Sequence, residues 1–238
     1  MKAFVLAGGF GTRLKPRFGD LPKPLAPLGG RPFLVRQLEW LRDRGVRRAV
    51  LLTGYGSEQI EATLGDGAAL GMSLEYSVEP EPLGTGGALA LAARFVDGTA
   101  LVVNGDTIGE ADPWALERDR WERGGVGAVA LYRVQDARAR GRVDHAKGWV
   151  RRFIEKDEDF LGPAWVNGGQ YVFTPRMWEH LPAGASSLER DVLPRLASRG
   201  QLVAHECPGR FWDIGTPEDF EMSPVRASTP PLIVVAPV

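Results

Sequence analysis

The stretch LAGGFGTRLKP, Leu6–Pro16, follows an apolar run with three closely spaced glycines, Gly8, Gly9 and Gly11, and two cations, Arg13 and Lys15. Small residues let backbone N–H groups approach phosphate oxygens, and an arginine fork can hold two oxygens at once. The loop is neither a P-loop, which needs G-x-x-x-x-G-K-[ST], nor a dinucleotide fingerprint, whose third glycine is replaced by Leu14. A tight turn with a solvated arginine would look the same. The segment DLPKPLAP (Asp20–Pro27) tips the balance toward phosphate, because Lys23 stands between Pro22 and Pro24. Flanking prolines leave few backbone shapes and so preorganise a point charge for a phosphate whose charge grows during reaction.

VVNGDT puts Asn104 and Asp106 at the end of an apolar run, and FWDIGT offers a second carboxylate, Asp213. Magnesium takes one or two protein carboxylates and completes its shell with phosphate and water. The two aspartates suit one Mg²⁺ if the fold brings them together, and are otherwise ordinary turn formers. In EPEPLGTGGAL, Glu79 and Glu81 are acceptor-only carboxylates suited to the N–H donors of a guanine edge, with solvent exposure the alternative for Glu81. Gly84 and Gly86 are expected to leave room for a flat ring against the backbone. FIEKDE and WVNGGQY supply Glu155, Lys156 and Asn167 through Gly169, types that suit sugar hydroxyls and a second phosphate.

These motifs must be positioned by the elements before them. Lys2–Ala7, Arg48–Thr53, Met72–Val78, Thr99–Asp106 and Gly127–Val134 read as strands, as do WVRRFIEK and AWVNGGQYVFT. Helices are expected between them: one with Leu34, Leu38 and Leu41 on one face and Gly45 as its stop, one around Glu58–Leu64, one in TGGALALAARF, and an exposed one in PWALERDRWERGG with Pro113 in its first turn. Ser186 and Glu189 are spaced as a capping box, and Thr216 with Pro217 reads as a helix start. Alternating strands and helices predict an α/β, doubly wound, mainly parallel sheet. Such a sheet binds ligands beyond the carboxyl ends of its strands, where the polar motifs fall.

With 238 residues the chain suits one large α/β domain, and a net charge of −1 gives no global field to draw nucleic acid or an anionic membrane. Cys207 is the single cysteine, so no intramolecular disulfide or cysteine-based zinc site is available, and a reducing cytoplasm is the expected compartment. The opening apolar run is too short for a signal peptide, and no segment approaches a membrane span. The proline-rich stretch 222–238 reads as a flexible tail after a domain covering 1–221. Trp114, Trp121 and Trp178 are candidates for a homodimer surface or for packing on their own domain.

Taken in order, LAGGFGTRLKP, LPKPLAPLGGRPFL, EPLGTGG, VVNGDT, IEK, VNGGQYV and DIGTPEDF resemble the sugar-1-phosphate nucleotidyltransferases over nearly the whole chain. The pattern is most like that of the D-glycero-α-D-manno-heptose 1-phosphate guanylyltransferases, with mannose-1-phosphate guanylyltransferases the nearest competitor. The resemblance implies a Rossmann-like domain with a mixed, mainly parallel sheet. It implies a Mg²⁺-dependent transfer of a nucleoside monophosphate, from GTP by preference, to a sugar 1-phosphate, giving NDP-sugar and pyrophosphate.

By the same resemblance Arg13 and Lys23 are catalytic, and Asp106 and Asp213 hold the metal. Leu6, Ala7, Gly8, Gly9, Gly11, Thr12, Glu79, Gly84, Thr85, Asn104 and Gly105 surround the nucleotide. Glu155, Lys156, Asn167 and Gly168 take the sugar phosphate. Gly168 stands where the family often has alanine, and Asp157 follows Lys156 where proline or glycine is common, so the sugar-side loop is expected to differ in shape. The chain lacks the hexapeptide repeat of a β-helix, which argues against a bifunctional acetyltransferase and the longer mannose enzymes. Related cytidylyl-, thymidylyl- and uridylyltransferases, and an inactive NDP-sugar-binding regulatory subunit, are the alternatives.

Overall fold

The computed structural model describes residues 1–9, 11, 19–137, 141–154 and 159–214. Its strands are β1 (Lys2–Leu6), β2 (Pro27–Leu28), β3 (Arg31–Pro32), β4 (Arg48–Thr53), β5 (Ser73–Val78), β6 (Ala100–Asn104), β7 (Thr107–Gly109), β8 (Gly127–Val134), β9 (Arg142–Ala146), β10 (Trp149–Ile154), β11 (Ala164–Phe173), β12 (Leu202–Cys207) and β13 (Phe211–Asp213). The α-helices are α1 (Phe33–Asp43), α2 (Ser57–Leu64), α3 (Gly84–Leu91), α4 (Pro113–Arg123) and α5 (Leu193–Ser198).

Nine strands form one sheet in the order β5-β4-β1-β6-β11-β8-β12-β10-β9. The first four are mutually parallel. β11 runs antiparallel to both β6 and β8, and β12 returns parallel to β8. The expected α/β fold is therefore present, with a sheet that is parallel on one side and mixed on the other.

Both faces of the parallel side are covered, which explains its unbroken apolar runs. Along β1, Ala3 and Val5 join a core with Leu34, Leu38 and Leu41 of α1, Ile60 and Leu64 of α2 and Leu116 of α4. Phe4 joins the opposite core with Leu89 of α3 and Leu193 and Leu196 of α5. The same alternation holds along β4 and β6.

Most predicted helix ends hold. Gly45, in the left-handed region at φ 82°, ends α1. Pro113 opens α4, and Asp112 caps it by accepting from Trp114 N–H at 3.0 Å. This helix is not simply exposed: Pro113, Leu116 and Arg120 are buried, with the Arg120 guanidinium held by Glu117 and the carbonyl of Gly125. The Ser186/Glu189 capping box is corrected. Ser187 makes the cap, accepting from Arg190 N–H at 3.2 Å while its own N–H donates to Asp191 at 2.7 Å. The turn that follows, Leu188–Val192, is a π-turn that widens the entry into α5, and the reciprocal pair is Ser187 and Asp191, four residues apart rather than three.

Of the three tryptophans named above as surface candidates, Trp178 packs its ring on Phe4 and donates to the carbonyl of Leu89, and Trp114 donates to the carbonyl of Arg44. Trp121 stays 75% exposed. Cys207 is buried, and burial pushes its thiol up to about 12, so it is unreactive. No helix among the described residues is long and apolar enough to cross a membrane. The expected Thr216 cap and the 222–238 tail lie outside the described residues.

Candidate active site

The parallel strands reverse their order around β1: the chain goes first to β4 on one side and later to β6 on the other. A doubly wound sheet opens a crevice at such a switch point. Here the ends of β1 and β6 lie side by side, with Leu6 in register with Asn104. A cleft of about 540 Å³ sits just beyond them.

Its wall contains Leu6 at the end of β1, Ala7, Gly8, Gly9 and Gly11 from the turn after it, Lys23, Glu79, Gly84 and Thr85, and Asn104 at the end of β6 with Gly105 and Asp106 after it, together with Asp213 from β13. The glycine turn is drawn in by Ala7 N–H, which donates to the carbonyl of Leu52 at 2.8 Å. The β6 turn is tied to it by Gly105 N–H donating to the carbonyl of Leu6 at 3.0 Å. Only glycine fits at position 105, since a Cβ would lie 2.5 Å from that same oxygen.

Lys23 reaches this point on a single 3-10 turn, Lys23–Leu25, which Pro22 and Pro24 pre-shape. The turn is anchored from behind by a small core of Ala26, Leu28, Phe33, Ile108 and Ile214. Its ammonium pairs with the Asp106 carboxylate. Asp213 arrives by a different route. β13 pairs antiparallel with β7 so that Asp213 is in register with Thr107, and Ile214 N–H donates to the carbonyl of Asp106 at 2.9 Å. The two aspartates, distant in sequence, thus face one cleft beside one lysine. Among the described residues no group of three or more His, Cys, Asp or Glu side chains could cage a metal by itself. Two carboxylates on an open cleft match in type and number the protein ligands of a magnesium that completes its shell with phosphate and water.

Glu79 packs against Gly8, where a Cβ would meet its carboxylate, and accepts from Leu83 N–H at 3.0 Å. Burial pushes its carboxyl above the usual carboxylate range, with the Leu83 bond opposing. Glu81 is exposed and lies off the cleft wall.

A Cβ on Gly84 or Gly86 would meet Ser186 at 2.6 Å, so on that side the space they leave is filled by the chain before α5. Gly84 still borders the cleft, and Thr85 beside it donates its hydroxyl to Glu189 at 2.7 Å while accepting from Leu188 N–H at 2.8 Å.

Asn167 and Gly168 sit where β11 breaks register between Asn167 and Tyr171, and neither lines the cleft wall. The Asn167 carboxamide donates to the Tyr171 hydroxyl at 2.7 Å and accepts from Gly169 N–H at 3.0 Å. Gly168 is buried, its missing side chain replaced by the ring of Tyr132. Thr12, Arg13, Glu155 and Lys156 lie outside the described residues.

Several wall residues escaped the sequence reading: Leu52, Pro82 and Ala88. Their type carries no chemical signal, so only the fold could place them. Gln37 also escaped, although a polar residue inside the Leu34/Leu38/Leu41 stripe of α1 was a visible anomaly.

The comparisons with known proteins agree with this geometry. The nucleotidyl transferase family profile matches residues 2–224. A mannose-1-phosphate guanylyltransferase of Mycobacterium tuberculosis is 40% identical over 224 residues, covering 92% of this chain and 62% of that protein. The mannose-1-phosphate guanylyltransferase catalytic subunit beta of Drosophila pseudoobscura pseudoobscura is 35% identical, covering 92% of this chain and 60% of its own. The chain thus spans a little under two thirds of the length of these relatives. Among solved structures, HddC from Yersinia pseudotuberculosis complexed with GMP-PN superposes with a TM-score of 0.82 at 32% identity, over 92% of this chain and 96% of that one. With its switch-point cleft, the two aspartates that line it and a profile match over most of its length, the chain belongs to the nucleotidyl transferase family.

Proposed function

We propose that the protein transfers the GMP moiety of GTP to a sugar 1-phosphate, releasing pyrophosphate. One observation carries the reading: Lys23, Asp106 and Asp213 converge on a cleft bordered by the glycine turn at the ends of β1 and β6. The sugar phosphate oxygen attacks the α-phosphorus in line. The bond between the α- and β-phosphates breaks, and its electron pair leaves on pyrophosphate. The attacking oxygen is already anionic near neutral pH, so no general base is required.

Lys23, and Arg13 in the loop beyond the described residues, neutralise phosphate charge as it shifts toward pyrophosphate. Asp106 and Asp213 would hold Mg²⁺, which supplies further charge neutralisation and alignment of the phosphates when bound. Gly8, Glu79 and Gly84 face the base, with Glu79 accepting from guanine N–H groups. On the sugar side Asn167 keeps one amide N–H beyond its Tyr171 bond, and Glu155 and Lys156 complete that end.

The guanine preference is supported by the names of the relatives and by the GMP-PN of the HddC structure. The heptose preference rests on the motif resemblance. The M. tuberculosis relative favours mannose 1-phosphate as the second reading. The single cysteine, Cys207, forms no intramolecular disulfide, and a reducing cytoplasm is the proposed compartment.

The test is pyrophosphate release with Mg²⁺, crossing GTP, ATP, CTP, UTP and dTTP against manno-heptose, mannose and glucose 1-phosphates. GTP with the heptose phosphate is the expected pair. Another pair keeps the chemistry and overturns the specificity. Silence from a folded protein that still binds an NDP-sugar would favour a regulatory subunit instead.

A further inference from the structure

The turn that carries Asn104, Gly105 and Asp106 into the cleft is held from behind by one side chain. Gln37 lies in the apolar stripe of α1 and is only 1% exposed. Its Nε2 donates to the carbonyl of Asn104 at 2.7 Å and to the carbonyl of Thr107 at 2.6 Å. Those two carbonyls bracket Gly105 and Asp106. Both are acceptors, so the carboxamide must present its NH₂ to them, and among neutral side chains of this size glutamine alone supplies two donors on one atom at that reach.

The Gln37 Oε1 atom, in contrast, is buried with no partner among the described residues. Leaving such a group unpaired is destabilising. An apolar residue would fill the same stripe without that cost, so what the glutamine adds is its pair of donors. The turn is clamped again by Ile214 N–H on the Asp106 carbonyl, and Thr107 Oγ donates to the Asp106 carboxylate at 3.1 Å. The backbone on each side of Asp106 is thereby fixed, and with it the direction of its carboxylate.

We propose that Gln37 is a positioning residue: by clamping the carbonyls of Asn104 and Thr107 it aims the Asp106 carboxylate at a divalent cation in the cleft. This rests on the reading of Asp106 as a metal ligand. Groups that orient a ligand from behind typically change metal affinity by about tenfold or more when removed.

The probe is Mn²⁺, titrated by electron paramagnetic resonance in the presence of a non-hydrolysable GTP analogue, with the thermal midpoint of each variant measured alongside. Gln37→Met keeps the volume and removes both donors. Gln37→Ala is the second variant, should methionine not be accommodated. Each is expected to weaken Mn²⁺ by about tenfold while leaving affinity for the analogue without metal unchanged. A lowered thermal midpoint with an unshifted Mn²⁺ curve would assign Gln37 to stability and overturn the proposal, as would failure of both variants to fold. Asp106→Asn is the control: if the parent and this variant bind Mn²⁺ equally, the metal reading fails first. If they differ and the Gln37 variants match the parent, only the positioning role fails.

Discussion

The parallel side of the sheet and its mixed side handle chemistry differently. On β1, β4, β5 and β6 every strand points the same way, so all four carboxyl ends open on one edge and their turns converge without further instruction. The chemical residues sit at or just after the strand ends, in Gly8, Gly9, Gly11, Glu79 and Asn104–Asp106. On the mixed side Asn167 and Gly168 lie within β11, inside a break of register, where Asn167 bonds Tyr171 and Gly169 and the space beside Gly168 is taken by Tyr132. One side therefore builds its site from loops on a rigid frame, whereas the other must bend a strand to present anything at all.

The comparison breaks most visibly at Asp106. Asp106→Asn keeps the side-chain volume and is expected to cut turnover by about 10³-fold with a thermal midpoint near that of the parent, because it removes charge from the cleft and not from the core. Turnover within a few-fold of the parent would remove Asp106 from the site.

Asn167→Ala should behave in the opposite way. It leaves Tyr171, which is fully buried, and Gly169 N–H short of a partner, so a loss of about 2 kcal/mol in denaturant unfolding is expected alongside any change in sugar-phosphate KM. A pure KM effect would show that the mixed side, too, presents its residues freely.

Glu79→Gln tests the base end. It should shift the preference for GTP over other triphosphates by about tenfold, since a site built to accept from N–H groups loses most when the acceptor changes. Only the ionised carboxylate accepts from two guanine N–H groups at once, one on each oxygen. Burial raises its pKa, so ionisation is lost at a higher pH than for an ordinary carboxylate as the solution is acidified. The KM for GTP should rise below that point in the parent and stay flat in the variant. Equal profiles would exclude Glu79 from base recognition.

The smallest effect concerns the cap of the π-turn. Ser187→Ala should cost about 1 kcal/mol of stability, whereas Ser186→Ala, which removes a hydroxyl with no partner among the described residues, should cost less. The reverse order would restore the capping box predicted from spacing.

Much of this was legible before any coordinates. The two-sided burial of β1, β4 and β6 shows as unbroken apolar runs, and the residues ending those runs carry glycine, lysine and aspartate in an order that few folds require. Proline on both sides of Lys23 foretold a fixed cation. β12 went unread because LVAHEC mixes His205 and Glu206 into a short run, and its place beside β8 depends on a partner far away in the chain.

By itself the sequence determined the α/β class, the strands of the parallel side and the chemical identity of the residues at their ends, because local periodicity records which side chains must leave water. Only the tertiary structure decided that Asp213 meets Asp106. That meeting requires β13 to pair with β7 across roughly half the chain, a hydrogen-bonded register that neither segment encodes alone. It also decided that Gly84 and Gly86 make room for Ser186, and that Gln37 faces two backbone carbonyls rather than an ordinary core. Steric fit and buried hydrogen bonding are properties of pairs, and the partners were not neighbours in sequence.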